Sequence, residues 1–399
     1  MLLREVRPQK AGFEPEPESG SDEPVRCPMQ KRAGLTIHTI PWRLWREPIR
    51  NVILGKTPAP KFVHFLLVPR AALHSLFRFP FMSAPMSRVY VTVHIPLEHL
   101  SPLDGIAEIV MPDNGVRAAP RAQVLEQIGD CVAVLSQGEL RVDAEFLDAA
   151  KSLRFVANAA MGIDNLDLAE LRRRGIAASN TPAAFAESTA DHTLGLMLSL
   201  TRRLAEGDRF VRTGDWERRG MEPLRWEGTL LGGKTLGIIG YGRIAKMVET
   251  RARAFDMEVI HTKATPHDHH GYRPLDALLS ESDLVVVLVP LTAETRHLIN
   301  AERIARMKPG AFFINVARGK VMDEAAVVDA LRSGHLAGAA LDVYEEEPVV
   351  NEALFSMENV VLTPHTGGAT KEQRRRGRLE ASGEIARFLK GEDRLFPVC

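Results

Sequence analysis

A glycine-rich turn between an apolar strand and a helix constrains this chain more than any other feature. Thr235 to Ile239 reads as a strand; Gly240, Tyr241 and Gly242 follow at once, and a helical run opens at Arg243 and Ile244. Gly240 permits the tight turn, Gly242 lets backbone N–H groups approach a ligand, and the small Ala245 allows close helix–strand packing. The first turn of that helix offers unpaired N–H donors and a positive dipole end, which suit a pyrophosphate. A glycine pair alone is weak evidence; set between a strand and a helix it reads as a dinucleotide cradle. The next strand, from Glu258 to His261, runs into Thr262, Lys263, Ala264 and Thr265. An acid usually reads the NAD ribose at that point. Here a cation and hydroxyls stand instead, which tilts the expectation to NADP over NAD and leaves both coenzymes open.

Strands and helices alternate on either side of this turn. Strand signals recur at 88–93, 131–135, 153–157, 283–289, 311–316, 337–343 and 359–363. Such alternation predicts parallel sheets with helices on their faces. A long helix is expected over 183–213, ended by Gly214, followed by a loop over 216–233 and a last helix over 371–389. Residues 1–85 differ. Prolines interrupt every apolar stretch, and residues 14–24 form an acidic, Pro/Ser-rich run. Their apolar groups share no face, so ordering them costs more than burial returns, and they are expected to lie outside the core.

Ligands of open parallel sheets bind beyond the carboxyl ends of the strands. Three charged residues fall at such ends: Arg318 after strand 311–316, Glu347 after 337–343, and His365 after 359–363. Carbonyl reduction needs a proton donor beside the hydride donor, and an imidazole suits that task near neutral pH. A neighbouring carboxylate favours a protonated imidazole, and an arginine fork holds a carboxylate by charge-assisted bonds. Spacing alone leaves a surface ion pair, a helix-flanking acid and a loop histidine as equally open readings of these three.

From Arg88 to Gly391 the chain resembles the D-isomer-specific 2-hydroxyacid dehydrogenases. The resemblance rests on Asn158–Asn165, the turn at Gly240, Asn315–Gly319, Ala340–Tyr344, Glu347 with Pro348, and Pro364–Gly368. It implies Arg318 as binder of the substrate carboxylate and carbonyl, His365 as acid/base and Glu347 as its partner. It also implies backbone contacts to the substrate from Met161 and Gly162. Along the cofactor it implies Val289, Pro290, Val316, Ala317, Asp342 near the nicotinamide amide, and the Gly367–Gly368 turn. Glu206–Trp216 and Leu230–Leu236 resemble glyoxylate and hydroxypyruvate reductases most, whereas Ala160 and Ala245 stand where many relatives have glycine. The expected architecture is α/β, with two doubly wound, Rossmann-like parallel-sheet domains. The cofactor domain (187–363) is expected as an insert in a substrate domain built from 86–186 and 364–399.

Composition narrows the partners. Lys plus Arg and Asp plus Glu both number 51. The chain therefore has no global field to gather nucleic acid or a membrane surface. Cys27, Cys131 and Cys399 are scattered and form no CxxC pair, which fits a reducing, cytoplasmic setting. His267–His270 looks like a metal cluster, but adjacent ligands rarely close a tetrahedral site, so no metal is expected. Arg374–Arg378 reads as a solvated helix face, with Gly377 weakening that helix. The expected partner is a small 2-oxo or 2-hydroxy acid, and the expected assembly a homodimer. A dinucleotide-sensing corepressor is the alternative from another class. A phosphoglycerate-dehydrogenase-like enzyme is a second alternative, weakened because no regulatory segment follows Gly391.

Overall fold

The computed structural model describes residues 86–399 except Asn114, Val116, Pro266 and His267. The expectation for residues 1–85 lies outside the described residues. Two wholly parallel sheets organise the rest. The first holds β1 (Ser87–Val91), β2 (Ala107–Val110), β3 (Ala133–Ser136), β4 (Phe155–Asn158) and β5 (Ala177–Asn180), in the order β2-β1-β3-β4-β5. The second holds β6 (Thr235–Ile239), β7 (Glu258–Thr262), β8 (Leu284–Val287), β9 (Ala311–Asn315), β10 (Leu336–Leu341) and β11 (Val360–Leu362). Its order is β11-β10-β9-β8-β6-β7. The strand order reverses beside β6, so a crevice opens at the carboxyl end of that strand, where the glycine turn lies.

Burial on both faces explains why the strands read as near-continuous apolar runs. Leu236, Ile238, Leu284, Val286 and Ile314 enter one core with helices Ala186–Thr201 and Arg243–Arg253. Ile239, Val285, Val287 and Phe313 enter the opposite core with helices Leu275–Glu281 and Glu324–Arg332. The first sheet follows the same alternation: Tyr90, Val134 and Val156 face one side, Val89, Val91, Leu135 and Phe155 the other.

The C-terminal helix, Lys371–Lys390, returns to the first sheet. Ala381 and Ile385 join the core beneath Val91 and Phe155, and the buried Ser179 hydroxyl donates to Glu384 (2.9 Å). The sequence thus enters the second sheet after β5 and comes back to the first sheet after β11. Gly377 does not interrupt this helix. It admits the ring of Phe185, whose Cζ would lie 2.5 Å from a Cβ at that position.

Three expectations need correction. The 183–213 stretch is not one helix: it divides into Ala186–Thr201 and Leu204–Arg212, with Arg203 in the left-handed region at φ 55°. The Thr229 N–H occupies the Thr201 carbonyl (2.8 Å), and Glu206 is buried between Arg203 and Arg225 (2.7 and 2.9 Å). Tertiary bonds thus take groups that a continuous helix needs. The 216–233 segment is not all loop, because a short helix covers Asp215–Arg219 and a 3₁₀ turn Pro223–Trp226. Finally, Arg378 does not share a fully solvated face. It is half-buried, donating to Gln137 Oε1 (2.7 Å) with His99 Nδ1 at 3.3 Å, and desolvation followed by the charge of Arg374 lowers its pKa.

Among the described residues no helix is long and apolar enough to cross a membrane. No group of three potential metal ligands comes together among them; His267 lies outside that set.

Candidate active site

The turn after β6 has the shape its glycines imply. Gly240 adopts φ +97°, and a Cβ there would sit 2.7 Å from both the Leu288 carbonyl and Val289 Cγ1. Only glycine fits. Gly242 leads into helix Arg243–Arg253 without a side-chain cap, so the helix keeps its N-terminal donors for a ligand. Ala245 is buried against this sheet's core. These features fit a dinucleotide. Ile244 packs partly into the core, and Arg243 Nη1 donates to the Pro182 carbonyl (2.8 Å). Lys263 is exposed just beyond β7. Val316 and Ala317 are buried after β9, and Pro290 accepts a hydrogen bond from the Thr295 hydroxyl (2.6 Å).

Glu347 and His365 meet. His365 Nδ1 lies 2.8 Å from Glu347 Oε2, and the Tyr344 N–H donates to Oε1 (3.0 Å). Burial resists ionisation of Glu347, but the bonds from His365 and Tyr344 and the charge of Arg318 outweigh it and hold its pKa low. Three consecutive acids have three different partners: Glu345 pairs with His297 (2.6 Å), Glu346 with Lys320 (3.1 Å), and Glu347 with His365. This separates Glu347 from its neighbours.

His365 itself has φ 52°, unusual for a residue with a Cβ. Asp342 holds it there. The His365 N–H donates to the Asp342 carbonyl (2.8 Å). The Asp342 carboxylate, 1% exposed, accepts from the Thr363 hydroxyl (2.6 Å) and from the Thr366 and Gly367 N–H groups (2.8 Å each). His192 Nε2 lies 3.2 Å from the same carboxylate. Desolvation opposes this charge, yet these donors keep its pKa below the ordinary aspartate value. Asp342 was expected beside the nicotinamide; its visible work is to shape the loop that carries His365. A Cβ on Gly368 would press on Phe185 Cδ1 at 3.1 Å.

Arg318 extends from the end of β9 to the segment after β4. Its Nε lies 2.9 and 3.1 Å from the two Asp164 oxygens, and Nη1 donates to the Ala317 carbonyl (2.7 Å). A methyl group on Gly162 would collide with the guanidinium. The Met161 and Gly162 carbonyls are held by the amides of Asn180 and Asn158 (2.8 Å each). Among the described residues the N–H groups of Met161 and Gly162 have no protein acceptor. Arg318, Met161 and Gly162 are therefore brought together, as are Glu347 and His365. His192, Thr363, Asn180 and Asp164 had been given no role from sequence. His192 and Asn180 lie outside every recognised motif, and their placement comes only from tertiary structure.

Comparison with known proteins identifies the family. Residues 194–367 match the family described as D-isomer specific 2-hydroxyacid dehydrogenase, NAD binding domain. A glyoxylate reductase from Pyrococcus furiosus is 42% identical over 313 residues, covering 76% of this chain and 93% of that protein. The crystal structure of an NADPH-dependent glyoxylate/hydroxypyruvate reductase from Sinorhizobium meliloti, in complex with NADP and malonate, is 34% identical. It has a TM-score of 0.69 and covers 78% of this chain and 97% of that one. A glyoxylate reductase structure from Paecilomyes thermophila is 31% identical, with a TM-score of 0.68, covering 79% of this chain and 99% of that one. The chain belongs to the D-isomer specific 2-hydroxyacid dehydrogenase family.

Proposed function

We propose that this protein reduces a small 2-oxo acid with NAD(P)H, foremost glyoxylate, to achiral glycolate, or hydroxypyruvate, to the D-2-hydroxy acid. The observation that carries this reading is the 2.8 Å His365–Glu347 pair, at the carboxyl end of the sheet that also forms the Gly240 cradle. Residues 187–363 serve as the cofactor domain, and 86–186 with 364–399 as the substrate domain. Gly240, Gly242 and the backbone of Arg243 and Ile244 hold the pyrophosphate. Val289, Pro290, Val316, Ala317, Asp342, Gly367 and Gly368 border the remainder of the dinucleotide. The nicotinamide, when bound, supplies a hydride.

The protein's own groups do the rest. The N–H groups of Met161 and Gly162 and the Arg318 guanidinium hold the substrate carboxylate, and Arg318 also draws electron density onto the carbonyl oxygen. Glu347 fixes Nδ1 of His365, leaving Nε2 to give its proton to that oxygen as C2 is reduced. In the reverse direction the same nitrogen takes the hydroxyl proton.

NADP is the favoured coenzyme. Thr262, Lys263, Ala264 and Thr265 at the end of β7 include no carboxylate to read the ribose, and Lys263 is exposed to meet a 2′-phosphate. A cytoplasmic homodimer is the proposed state. Exposed apolar side chains recur at Leu204, Val211, Trp216, Met221, Leu224 and Leu230, the kind of surface a second subunit covers. One spectrophotometric screen tests the reading: both coenzymes against a panel of 2-oxo acids, with light scattering for mass. Tight coenzyme binding without turnover on any 2-oxo acid would refute the enzyme and favour a dinucleotide-sensing binding protein.

A further inference from the structure

An arginine side chain has many rotamers, and a carboxylate clamp works only if its fork already points at the ligand. The donors of Arg318 show how its fork is aimed. Nε is taken by Asp164, at 2.9 and 3.1 Å from the two carboxylate oxygens, and Nη1 donates to the Ala317 carbonyl at 2.7 Å. Nη2 is left against Gly162, where any Cβ would collide with it. Asp164 itself follows β4 in the first sheet, while Arg318 follows β9 in the second. The ion pair thus draws an arginine of one sheet onto the loop of the other that carries Met161 and Gly162.

We propose that Asp164 is a positioning residue that presents the Nη edge of Arg318 to the carboxylate of the 2-oxo acid. The proposal rests on the reading of Arg318 as the substrate clamp. The geometry favours a positioner over a competitor for the site. Both Asp164 oxygens approach Nε and neither bonds Nη2, so the ion pair fixes the fork without using the Nη2 N–H groups. Both partners are partly solvent-exposed, 27% of the Arg318 side chain and 36% of the Asp164 side chain, so water can take the place of Asp164 on Nε when it is replaced. Its loss should change the aim of Arg318 and leave the fold intact.

The test compares Asp164→Ala, Asp164→Asn, Arg318→Ala and the Asp164→Ala/Arg318→Ala double variant with the full-length wild type. Steady-state kinetics are read with glyoxylate and hydroxypyruvate, NADPH and NADH binding by fluorescence, and Tm by thermal melt. Asp164→Ala should raise KM for the 2-oxo acid by about tenfold, the scale of one charge-assisted bond. Its coenzyme Kd and Tm should stay at wild-type values. Asp164→Asn should recover part of the loss, because its amide oxygen still accepts from Nε. In the Arg318→Ala background the Asp164→Ala change should add nothing, since the residue it aims is gone.

An unchanged or lowered KM in Asp164→Ala, beside a crippled Arg318→Ala, would overturn this proposal alone; a lowered KM would mark Asp164 as a competitor. Parallel losses in coenzyme binding and Tm would show a structural role and overturn it as well. A wild type without 2-oxo acid turnover, or an Arg318→Ala variant with unchanged KM, would overturn the clamp reading and this proposal with it.

Discussion

Replacing Asp342 by asparagine removes one charge and one acceptor from the most heavily hydrogen-bonded carboxylate of the site. Oδ1 takes the Thr363 hydroxyl (2.6 Å) and the Thr366 N–H (2.8 Å), with His192 at 3.2 Å, and Oδ2 takes the Gly367 N–H (2.8 Å). An asparagine oxygen placed at the Oδ1 position keeps the larger set, but its NH₂ then faces the Gly367 N–H, donor against donor. One buried N–H without an acceptor costs about 1–3 kcal/mol, and the remaining bonds lose their charge assistance; relief of the buried charge offsets part of this. A net loss of about 2 kcal/mol should lower Tm by roughly 5 °C for a domain of this size. Because the same loop carries His365, kcat should fall about ten- to a hundred-fold through misplacement of the proton donor.

The pH dependence has a definite sign. The Asp342 pKa is depressed on folding below its ordinary 3.8, so its stabilisation is fully present above that value. It is lost as pH falls through the folded-state value. The Tm gap between wild type and Asp342→Asn should therefore be constant through neutral pH and close only in acid below 3.8. Thermal melts across pH and steady-state kinetics check both points. A variant with wild-type Tm and kcat at neutral pH would refute the view that this carboxylate organises the His365 loop.

Other expectations follow from the same contacts. His365→Ala should reduce kcat by about 10²–10⁴ while coenzyme binding persists, and Glu347→Gln should cost less, because an amide still accepts from one tautomer of the ring; stopped-flow and steady-state rates measure both. Gly240→Ala places a Cβ 2.7 Å from the Leu288 carbonyl at a φ of +97°, so calorimetry should find coenzyme binding abolished or the Tm lowered. Lys263→Ala should raise KM for NADPH and leave KM for NADH nearly unchanged; equal effects on both would remove Lys263 from the coenzyme site.

How far the sequence carried depended on whether a residue's role was local. The Gly240 turn needs only the residues beside it: a strand that must stop, a backbone that must enter φ > 0, and a helix whose first donors must stay free. Those demands are written in consecutive positions, so the turn was readable, as were strands such as β6 and β8, whose apolar runs reflect burial on both faces. Strand β5 was not readable. Ala177, Ala178, Ser179 and Asn180 have little intrinsic strand preference, and the strand exists because β4 offers one edge and the chain's end the other, with the Val398 N–H donating to the Ala178 carbonyl at 2.9 Å. The break at Arg203 was hidden for the same reason, since the groups that enforce it come from Thr229 and Arg225. The site divides along this line too. Arg318, Glu347 and His365 could be singled out because each follows a strand, where parallel sheets place their chemistry, and because the motifs around them resemble those of a known family. What fixes them — Asp164 on the Nε edge of Arg318, Asp342 and His192 beneath the His365 loop — comes from distant stretches of chain. The groups expected to perform the reaction therefore lay in legible positions, while Asp164 became identifiable as the partner that aims Arg318 only once the two sheets were placed side by side, and the loop-shaping work of Asp342 and His192 only once β10, β11 and helix Ala186–Thr201 were packed together.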